Sequence, residues 1–338
     1  MGYQLLLFGL PALGIYALTS HCLRKKPHLL HNPRKFPVRC QHVSHRGGCG
    51  EQTENTIGAF SHALTQGTNL LELDCHITRD GVVVVSHDNN LERQTGHNIL
   101  ISETDYADLP PYKKSLEVTF APGCYSHGED HNIARLEDVF KKFPGIPINI
   151  EVKQNDDELI QKVGDLVRKY NRSHISIWAS FEGEVLKKCR AANTEMPYIF
   201  SIERGVLILL LYYVGLLPFV PLKESFLEFV LPAIMNRTFF PVKKGCFGSW
   251  LANFTEKVTM RKKLFKHLED RGIQVILWVL NDDKDFEKAF SYGVTGVMTD
   301  YPTCLRKYLD THSTHPSNGS GMERRESSLL YKFLAKEE

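Results

Sequence analysis

The sequence predicts an α/β protein folded as a (β/α)8 TIM barrel, and three observations support this prediction. From about residue 41 onward, short β-rich runs alternate with helical stretches, as expected of parallel βα units. Eight such runs can be counted, and eight is the number of strands that closes a barrel. The chain has 338 residues, of which 42% are hydrophobic, so it can bury one large core. A doubly wound open sheet is the competing fold.

Each predicted strand is a short run of apolar or β-branched residues, and each predicted helix is a longer stretch between two such runs. The predicted strands are residues 42–45, 70–77, 82–87, 148–153, 175–179, 198–202, 275–280 and 296–300. The predicted helices are residues 55–66, 136–143, 157–170, 182–192, 255–271, 283–292 and 302–309. The barrel domain is therefore expected to occupy residues 41–310.

The N-terminal segment is hydrophobic. Residues 1–23 contain no Asp, Glu, Lys or Arg, and the basic cluster Arg24-Lys25-Lys26 follows them. This pattern predicts a retained membrane anchor over residues 1–23 and a linker over residues 24–40. Because basic clusters stay on the cytoplasmic side, the catalytic domain is expected to face the cytosol. The predicted location is a membrane, at the endoplasmic reticulum or the perinuclear membrane.

Three further segments depart from a minimal barrel. Residues 88–134 are long, polar and follow the third predicted strand, which predicts an insertion because plain loops of this length are rare. Residues 206–222 carry no charge, and Pro218 and Pro221 argue against one straight helix. They are predicted to associate with a membrane, by dipping into it rather than spanning it; a buried core helix is the alternative. Residues 311–338 are predicted to form a disordered tail.

The composition excludes some classes of function. Lys plus Arg number 41 and Asp plus Glu number 39, and so even a balance argues against a nucleic-acid partner. The eight cysteines are scattered without a CxxC pair, which argues against zinc fingers and thioredoxin chemistry. No obligate protein partner is indicated, and the expected partners are a small substrate and membrane lipid.

The second predicted strand carries two carboxylates on one face. Side chains alternate along a strand, so Glu72 and Asp74 point the same way, while Leu71, Leu73 and Cys75 point the other way. Two carboxylates on the inner face of a barrel are costly to bury unless a cation compensates them. An oxygen-preferring divalent ion, Ca²⁺ or Mg²⁺, would do so. A salt bridge to a Lys or Arg is the alternative.

Ionisable residues end four successive predicted strands, at the face where barrel enzymes place their active sites. They are His45 and Arg46, Glu72 and Asp74, His87 and Asp88, and Glu151 and Lys153. These residue types suit the hydrolysis of a phosphodiester. A metal ion would neutralise the phosphate, Arg46 and Lys153 would contact it, and two histidines would share the proton transfers.

The motifs also resemble those of the glycerophosphodiester phosphodiesterases, over about residues 42–308. The matching segments are His45-Arg46-Gly47, Glu54-Asn55-Thr56, Glu72-Leu73-Asp74, Thr78-Arg79-Asp80-Gly81, His87-Asp88, Glu151-Val152-Lys153, Trp278-Val279-Leu280-Asn281 and Thr299-Asp300-Tyr301-Pro302. Each motif is weak alone, but the ordered set is specific. The apolar N-terminus and residues 206–222 resemble the mammalian membrane-bound branch of this family, which has lysophospholipase D activity.

The resemblance implies a role for each site residue. Glu72, Asp74 and Glu151 match the metal ligands, and His45 and His87 match the acid–base pair, with His87 close enough to be a further ligand. Arg46 and Lys153 match the phosphate contacts. Glu54 is expected to orient the substrate or Arg46, and Trp278 to wall the glycerol pocket. The alternatives are a helix-start charge for Glu54 and core packing for Trp278.

The implied function is a metal-dependent phosphoric diester hydrolase of lipid metabolism that converts a lysophospholipid into lysophosphatidic acid and an alcohol such as choline. Three alternatives stay open: a phosphodiesterase for soluble glycerophosphodiesters such as glycerophosphocholine, a phosphatidylinositol-type phospholipase C barrel, and a non-catalytic lipid-binding scaffold. The choice between Ca²⁺ and Mg²⁺ stays open as well, since both accept carboxylate oxygens. So do the head group, the acyl chain, and whether water or a substrate hydroxyl attacks.

Overall fold

The computed structural model describes residues 5–235, Arg237 and residues 246–312. Its strands are β1 (His42–Ser44), β2 (Leu70–Ile77), β3 (Val83–Val85), β4 (Leu116–Glu117), β5 (Tyr125–Ser126), β6 (Ile148–Val152), β7 (Ser176–Ala179), β8 (Phe226–Val230), β9 (Gln274–Trp278) and β10 (Gly296–Thr299). Its α-helices are α1 (Leu10–Lys25), α2 (Ile57–Thr65), α3 (Glu92–Thr95), α4 (Leu136–Lys142), α5 (Asp157–Lys169), α6 (Gly183–Ala192), α7 (Ile202–Tyr213), α8 (Cys246–Thr259), α9 (Lys262–Asp270), α10 (Asp283–Ser291) and α11 (Pro302–His312).

Parallel strands form the centre of the molecule, in the order β7-β6-β2-β1-β10-β9-β8. The two ends of this row meet, because Trp178 pairs in parallel with Tyr198 and Ile199 pairs in parallel with Phe226. Residues 198–199 thus take the place of a very short strand between β7 and β8. The strands form a ring of the TIM-barrel type, with helices outside it.

One of the eight predicted strands needs correction, and one strand of the ring was missed. Residues 82–87 do form a strand, β3, but it pairs antiparallel with β2 outside the ring. The ring strand β8 was not predicted. Its buried Glu228 interrupts a short apolar run, and the longer apolar run of residues 206–222 lies just before it. The count of eight was thus reached from one wrong strand and one missed strand, because a buried apolar run looks alike in parallel and antiparallel pairing.

Local signals explain where the helices begin. Thr56 is the N-cap of α2, and its Oγ1 accepts a hydrogen bond from the Ala59 N–H at 3.1 Å. Asp156 caps α5 in the same way, with 2.8 Å from the Leu159 N–H to its Oδ1. The predicted helix over residues 255–271 is two helices, α8 and α9, which meet near Arg261. These capped helices pack their apolar faces on the ring.

The structure does not support the predicted membrane anchor at the N-terminus. In the part of the chain that the structure describes, no helix has the length and apolar character to cross a bilayer. The helix α1 instead lies along the segment that follows α7. Tyr16 stacks on Phe219 with ring centroids 6.2 Å apart, and Ser20 Oγ donates to Gly215 O at 2.6 Å. The prediction of a membrane location is therefore wrong, and the anchor predicted over residues 1–23 is not found among the described residues, since apolar composition alone did not reveal this packing.

The predicted linker, residues 24–40, crosses the end of the barrel where the strands begin. The Arg34 N–H donates to Arg271 O at 2.8 Å. The Gln274 side chain accepts from the Cys40 N–H and donates to Val38 O, both at 2.7 Å. The linker therefore packs against the end of the barrel opposite to the ends of the strands that carry the ionisable residues.

The predicted insertion, residues 88–134, packs on β3 around its own small apolar cluster. Buried members of that cluster are Val84, Leu91, Ile101, Tyr112, Leu116 and Ile133. It contains α3 and the hairpin β4–β5. It contributes side chains to the site described below, among them Arg93 and Phe120.

The apolar stretch 206–222 forms the larger part of α7 and a 3-10 turn over Leu217–Phe219. Ile208 and Tyr212 pack in the core, whereas Val206 and Leu210 are exposed. Its association with a membrane stays a prediction. The predicted tail lies outside the described residues, apart from residues 311 and 312, which end α11.

Candidate active site

Three carboxylates meet at the carboxyl ends of β2 and β6. Alternation along β2 places Glu72 and Asp74 on the inner face, and the register pairs Asp74 directly with Glu151 of β6. One oxygen of each carboxylate lies within 4.8 Å of the others. Glu72 and Asp74 are buried, and Glu151 is half-buried. The structure thus brings together the three residues that the sequence assigns to a metal.

Two cations, Lys153 and Arg46, partly balance the charge of these three carboxylates. Lys153 Nζ lies 3.0 Å from Asp74 Oδ1 and 3.0 Å from Glu151 Oε1. Burial raises the pKa of Asp74, but Lys153 and other cations outweigh this and hold that pKa well below its usual range. The salt bridge left open as an alternative is therefore present, but it does not serve all three acids.

Glu72 is the acid that these cations balance least. It accepts a hydrogen bond from the Arg46 N–H at 2.7 Å. Burial, followed by the charges of Asp74 and Glu151, raises the pKa of Glu72 well above its usual value. A divalent cation would compensate this excess of negative charge with the oxygen ligands that Ca²⁺ and Mg²⁺ prefer. The donor set therefore fits such an ion.

His45 ends β1 and is held by Asp300, which follows β10. Its Nδ1 lies 2.7 Å from Asp300 Oδ1, and the carboxylate also accepts from Asn281 Nδ2 at 2.9 Å. Burial and then the positive charge of Arg46 lower the pKa of His45, against the opposing effect of Asp300. The lowered pKa favours the neutral imidazole, and a neutral imidazole that donates its Nδ1–H to Asp300 leaves Nε2 to accept a proton.

His87 is held in a similar way by its neighbour. His87 Nδ1 lies 2.5 Å from Asp88 Oδ1, and Arg93 Nε donates to Asp88 Oδ2 at 2.6 Å. His76 Nε2 donates a hydrogen bond to the His87 carbonyl at 3.1 Å and so supports this turn. His87 is not among the groups that come within 4.8 Å in the acidic cluster. Its role as a further metal ligand stays a prediction.

Arg46 sits in the left-handed region with a φ of 49°, and its guanidinium turns inward. Arg46 Nη1 donates to Glu54 Oε2 at 3.3 Å. Glu54 also accepts from Arg93 at 2.6 Å and from Gln94 at 2.7 Å. Burial opposes ionisation of Glu54, but Arg93 and Arg46 lower its pKa to about 2. Glu54 thus contacts Arg46, and its expected role in orienting the substrate or Arg46 stays a prediction.

The sequence analysis missed several site residues that now have clear contacts. Asn55 Nδ2 donates to Asp74 Oδ2 at 3.0 Å, and Asn149 Nδ2 donates to Glu228 Oε1 at 2.8 Å. Burial, and then the charge of Glu151, raise the pKa of Glu228 to about 8. Asp300, Asn281 and Asn55 all lie in the motifs noted above, so those motifs were the available signal. Arg93, Phe120 and Glu228 had no comparable signal.

A cavity of about 610 Å³ joins these groups at the mouth of the barrel. One half is polar and contains His45, Arg46, Glu72, His87, Glu151 and Lys153. The other half is apolar and aromatic. Trp278 lies in this second half, with its ring centroid 5.6 Å from that of Phe181 and 6.1 Å from that of Phe120. Trp278 therefore faces the cavity and is not only a core residue.

Comparisons with known proteins agree with this geometry. Residues 45–304 match the profile of the Glycerophosphoryl diester phosphodiesterase family. The chain is 52% identical to the human protein named Lysophospholipase D GDPD3, over 91% of this chain and 97% of that protein. It is 48% identical to the human protein named Lysophospholipase D GDPD1, over 90% of this chain and 97% of that protein.

Solved structures show the same fold at low sequence identity. One is a crystal structure described as a putative glycerophosphoryl diester phosphodiesterase from Silicibacter pomeroyi, with a TM-score of 0.61 and 19% identity, covering 83% of this chain and 96% of that one. Another is an Oleispira antarctica phosphodiesterase in complex with the product sn-glycerol-3-phosphate, with a TM-score of 0.55 and 21% identity. It covers 80% of this chain and 96% of that one.

Proposed function

Because this chain belongs to the glycerophosphoryl diester phosphodiesterase family, we propose that it is a phosphodiesterase that acts as a lysophospholipase D. In this reaction the enzyme cleaves the phosphodiester of a lysophospholipid on the head-group side. The products are lysophosphatidic acid and a free alcohol such as choline. The two human relatives described above carry this activity in their names.

One observation carries the proposal: three carboxylates converge at the mouth of the barrel, and two of them, Glu72 and Glu151, line one cavity together with two histidines that each form a hydrogen bond to a separate aspartate. Glu72, Asp74 and Glu151 would hold one divalent cation. When bound, this cation would neutralise the phosphate and make its phosphorus easier to attack. Both Ca²⁺ and Mg²⁺ suit an all-oxygen set, and the partly open side of Glu151 leaves room for the substrate.

The protein's own residues would perform the remaining steps. Arg46 and Lys153 line the polar half of the cavity and would bind the nonbridging phosphate oxygens. His45 would accept the proton of the attacking oxygen at Nε2, because its Nδ1 is directed to Asp300. His87 would donate a proton to the leaving alkoxide. The attacking oxygen belongs to water or to a free hydroxyl of the substrate, and either would pass its proton to His45.

The apolar half of the cavity favours a lysophospholipid over a soluble glycerophosphodiester. A substrate without an acyl chain has no group to cover Phe181, Trp278 and the inner face of α7. A substrate with one acyl chain would bury this surface on binding. We thus propose that the protein contacts lipid through the acyl chain of its bound substrate.

Product analysis tests the proposal. Purified protein should release choline from lysophosphatidylcholine, lose this activity in EDTA, and regain it with Ca²⁺ or Mg²⁺. The variant Asp74→Asn should lose turnover at least a hundredfold, because it removes a charged ligand from the site. The exposed Asp108→Asn is the matched control and should behave as the wild type.

Three results would contradict the proposal. Release of phosphocholine instead of choline would indicate phospholipase C chemistry. Turnover that survives both EDTA and Asp74→Asn would remove the metal site. Binding of lysophosphatidylcholine without any turnover in either ion would favour the scaffold alternative.

A further inference from the structure

The helix α7 forms one wall of the active-site cavity. The residues of α7 that line it are Ile202, Gly205, Val206 and Leu209. Their spacing of three, four and seven residues places them on one face of the helix. A second face carries Ile208 and Tyr212 into the core. One helix thus contributes both to the packing of the barrel and to an apolar surface that the cavity leaves uncovered.

This wall is held in place at its first turn. Ser201 is the N-cap and accepts from the Arg204 N–H, and Arg204 Nε donates to the buried Glu224 at 2.7 Å. Glu224 lies just before β8. The helix is therefore fastened just before the strand whose end, Phe229 and Val230, lines the same cavity.

Gly205 is the residue of this wall that has no side chain. A Cβ placed on Gly205 would meet no atom within 4 Å, so the space beside it is open. Its neighbours on the same face, Ile202 and Val206, are exposed and stand at the rim of the cavity. The apolar half of the cavity therefore opens to the outside along α7, beside Gly205.

We propose that the groove between α7 and the end of β8 holds the single acyl chain of the substrate, with Gly205 as the residue that determines its width. The groove is continuous with the polar half of the cavity, which contains Arg46 and Lys153. A lysolipid with its phosphate at these cations would direct its chain away from the polar half and along α7. This inference rests on the proposed function and adds to it the element that selects for an acyl chain.

Because the groove is lined by apolar residues, the length of the acyl chain should have a measurable effect on binding. Each methylene that leaves water in the groove strengthens binding by at most about fourfold. The cavity volume of about 610 Å³ is within the usual range for a small-molecule site, so the gain should stop once the chain reaches the open rim. The wild-type protein should thus show kcat/KM values that rise with chain length and then level off.

Substitution of Gly205 provides the direct test. Gly205→Phe fills the groove, so the ratio of kcat/KM for 16-carbon lysophosphatidylcholine to that for glycerophosphocholine should fall at least tenfold. Leu207→Phe adds a ring to the exposed side of the same helix and is the matched control. It should leave the ratio within twofold of the wild-type value. A fall of the same size in both variants, or in neither, would overturn the proposal.

A second measurement needs no variant and therefore does not depend on correct folding of Gly205→Phe. For the wild-type protein, kcat/KM is compared between glycerophosphocholine and lysophosphatidylcholines with short acyl chains. The lysophosphatidylcholines are kept below the concentration at which they form micelles. A rise in kcat/KM with each added pair of methylenes supports the groove. If glycerophosphocholine is turned over and kcat/KM does not depend on acyl-chain length, the groove proposal is wrong but the proposed phosphodiesterase function stands. No turnover of any of these substrates would instead contradict the proposed function.

Discussion

Each of the two site histidines is held through its Nδ1 atom by a carboxylate, but the two carboxylates differ in origin. Asp88 is the next residue after His87, whereas Asp300 is 255 positions from His45. Asp300 is fully buried and is itself fastened by Asn281 and by Cys49, whose Sγ lies 2.8 Å from Oδ1. Asp300 therefore serves as a positioning residue that fixes the tautomer and direction of His45.

Asp300→Asn tests this role. An amide cannot replace the charge that holds Nδ1–H, so kcat should fall about 10²- to 10⁴-fold, by analogy with triads whose carboxylate is neutralised. The charge of Asp300 raises the pKa of His45, while burial and Arg46 lower it. Without Asp300 the pKa of His45 should fall further. The acid limb of the pH dependence of kcat/KM should then move to lower pH.

Steady-state kinetics from pH 4.5 to 8 would check both expectations, with the exposed Asp310→Asn as the control. A purely structural role would lower the rate without moving the acid limb. An acid limb that moves to higher pH, or a rate near that of the wild type, would contradict the assignment.

Among the elements, α2 connects local sequence signals to the site most directly. Its N-cap residue Thr56 also donates to Thr53 O at 2.8 Å, and Asn55 just before it reaches Asp74 from a left-handed backbone, with a φ of 59°. Asn is one of the few residues that adopt this conformation readily. The start of the helix thus sets the position of a residue that contacts the acidic cluster.

Thr56→Ala should destabilise the protein by about 1 kcal/mol, because the Ala59 N–H loses its acceptor. Thr56→Ser retains the hydroxyl and is the matched control, with a loss of less than half that size. The midpoints of urea unfolding, compared at equal slope, measure the difference. Equal midpoints for the Ala and Ser variants would show that the cap contributes nothing measurable.

In the whole molecule, the acidic cluster connects ion binding to stability. Burial raises the pKa of Glu72, so its carboxyl is protonated in the ion-free fold over a pH range where the unfolded chain has lost that proton. Protonation of Glu72 stabilises the folded state at pH values below the pKa that Glu72 has in the unfolded chain. This stabilisation is lost as pH rises through the higher pKa that Glu72 has in the folded state. An ion that replaces the proton should therefore bind more tightly at higher pH.

Thermal unfolding with Ca²⁺ or Mg²⁺ measures this connection. At a hundred times its Kd, an ion stabilises the fold by about 2.7 kcal/mol, which corresponds to a rise in Tm of roughly 4 °C for a chain of this size. The rise at a fixed ion concentration should be larger at pH 8 than at pH 6. Glu72→Gln should abolish this pH difference, and a rise that is larger at pH 6 would contradict the role of Glu72.

What the sequence determined by itself is local in origin. Alternation along β2 places Glu72 and Asp74 on one face whatever surrounds the strand, because the backbone of any strand points successive side chains to opposite sides. The ordered motifs identified the family, and the glycerophosphodiester phosphodiesterase resemblance is confirmed over residues 45–304. The barrel class followed from the alternation of strands and helices.

What only the tertiary structure decided depends on contacts between distant parts of the chain. His45 pairs with Asp300 and α1 packs beside Phe219, and each of these contacts joins segments about 200 or more residues apart. The place of β8 in the ring depends on its pairing with another strand, β9. An apolar run has the same local pattern whether it meets lipid, a parallel strand or a helix. Its partner is therefore set by how the whole chain packs. For this reason the sequence alone could not reveal the packing of α1 beside Phe219.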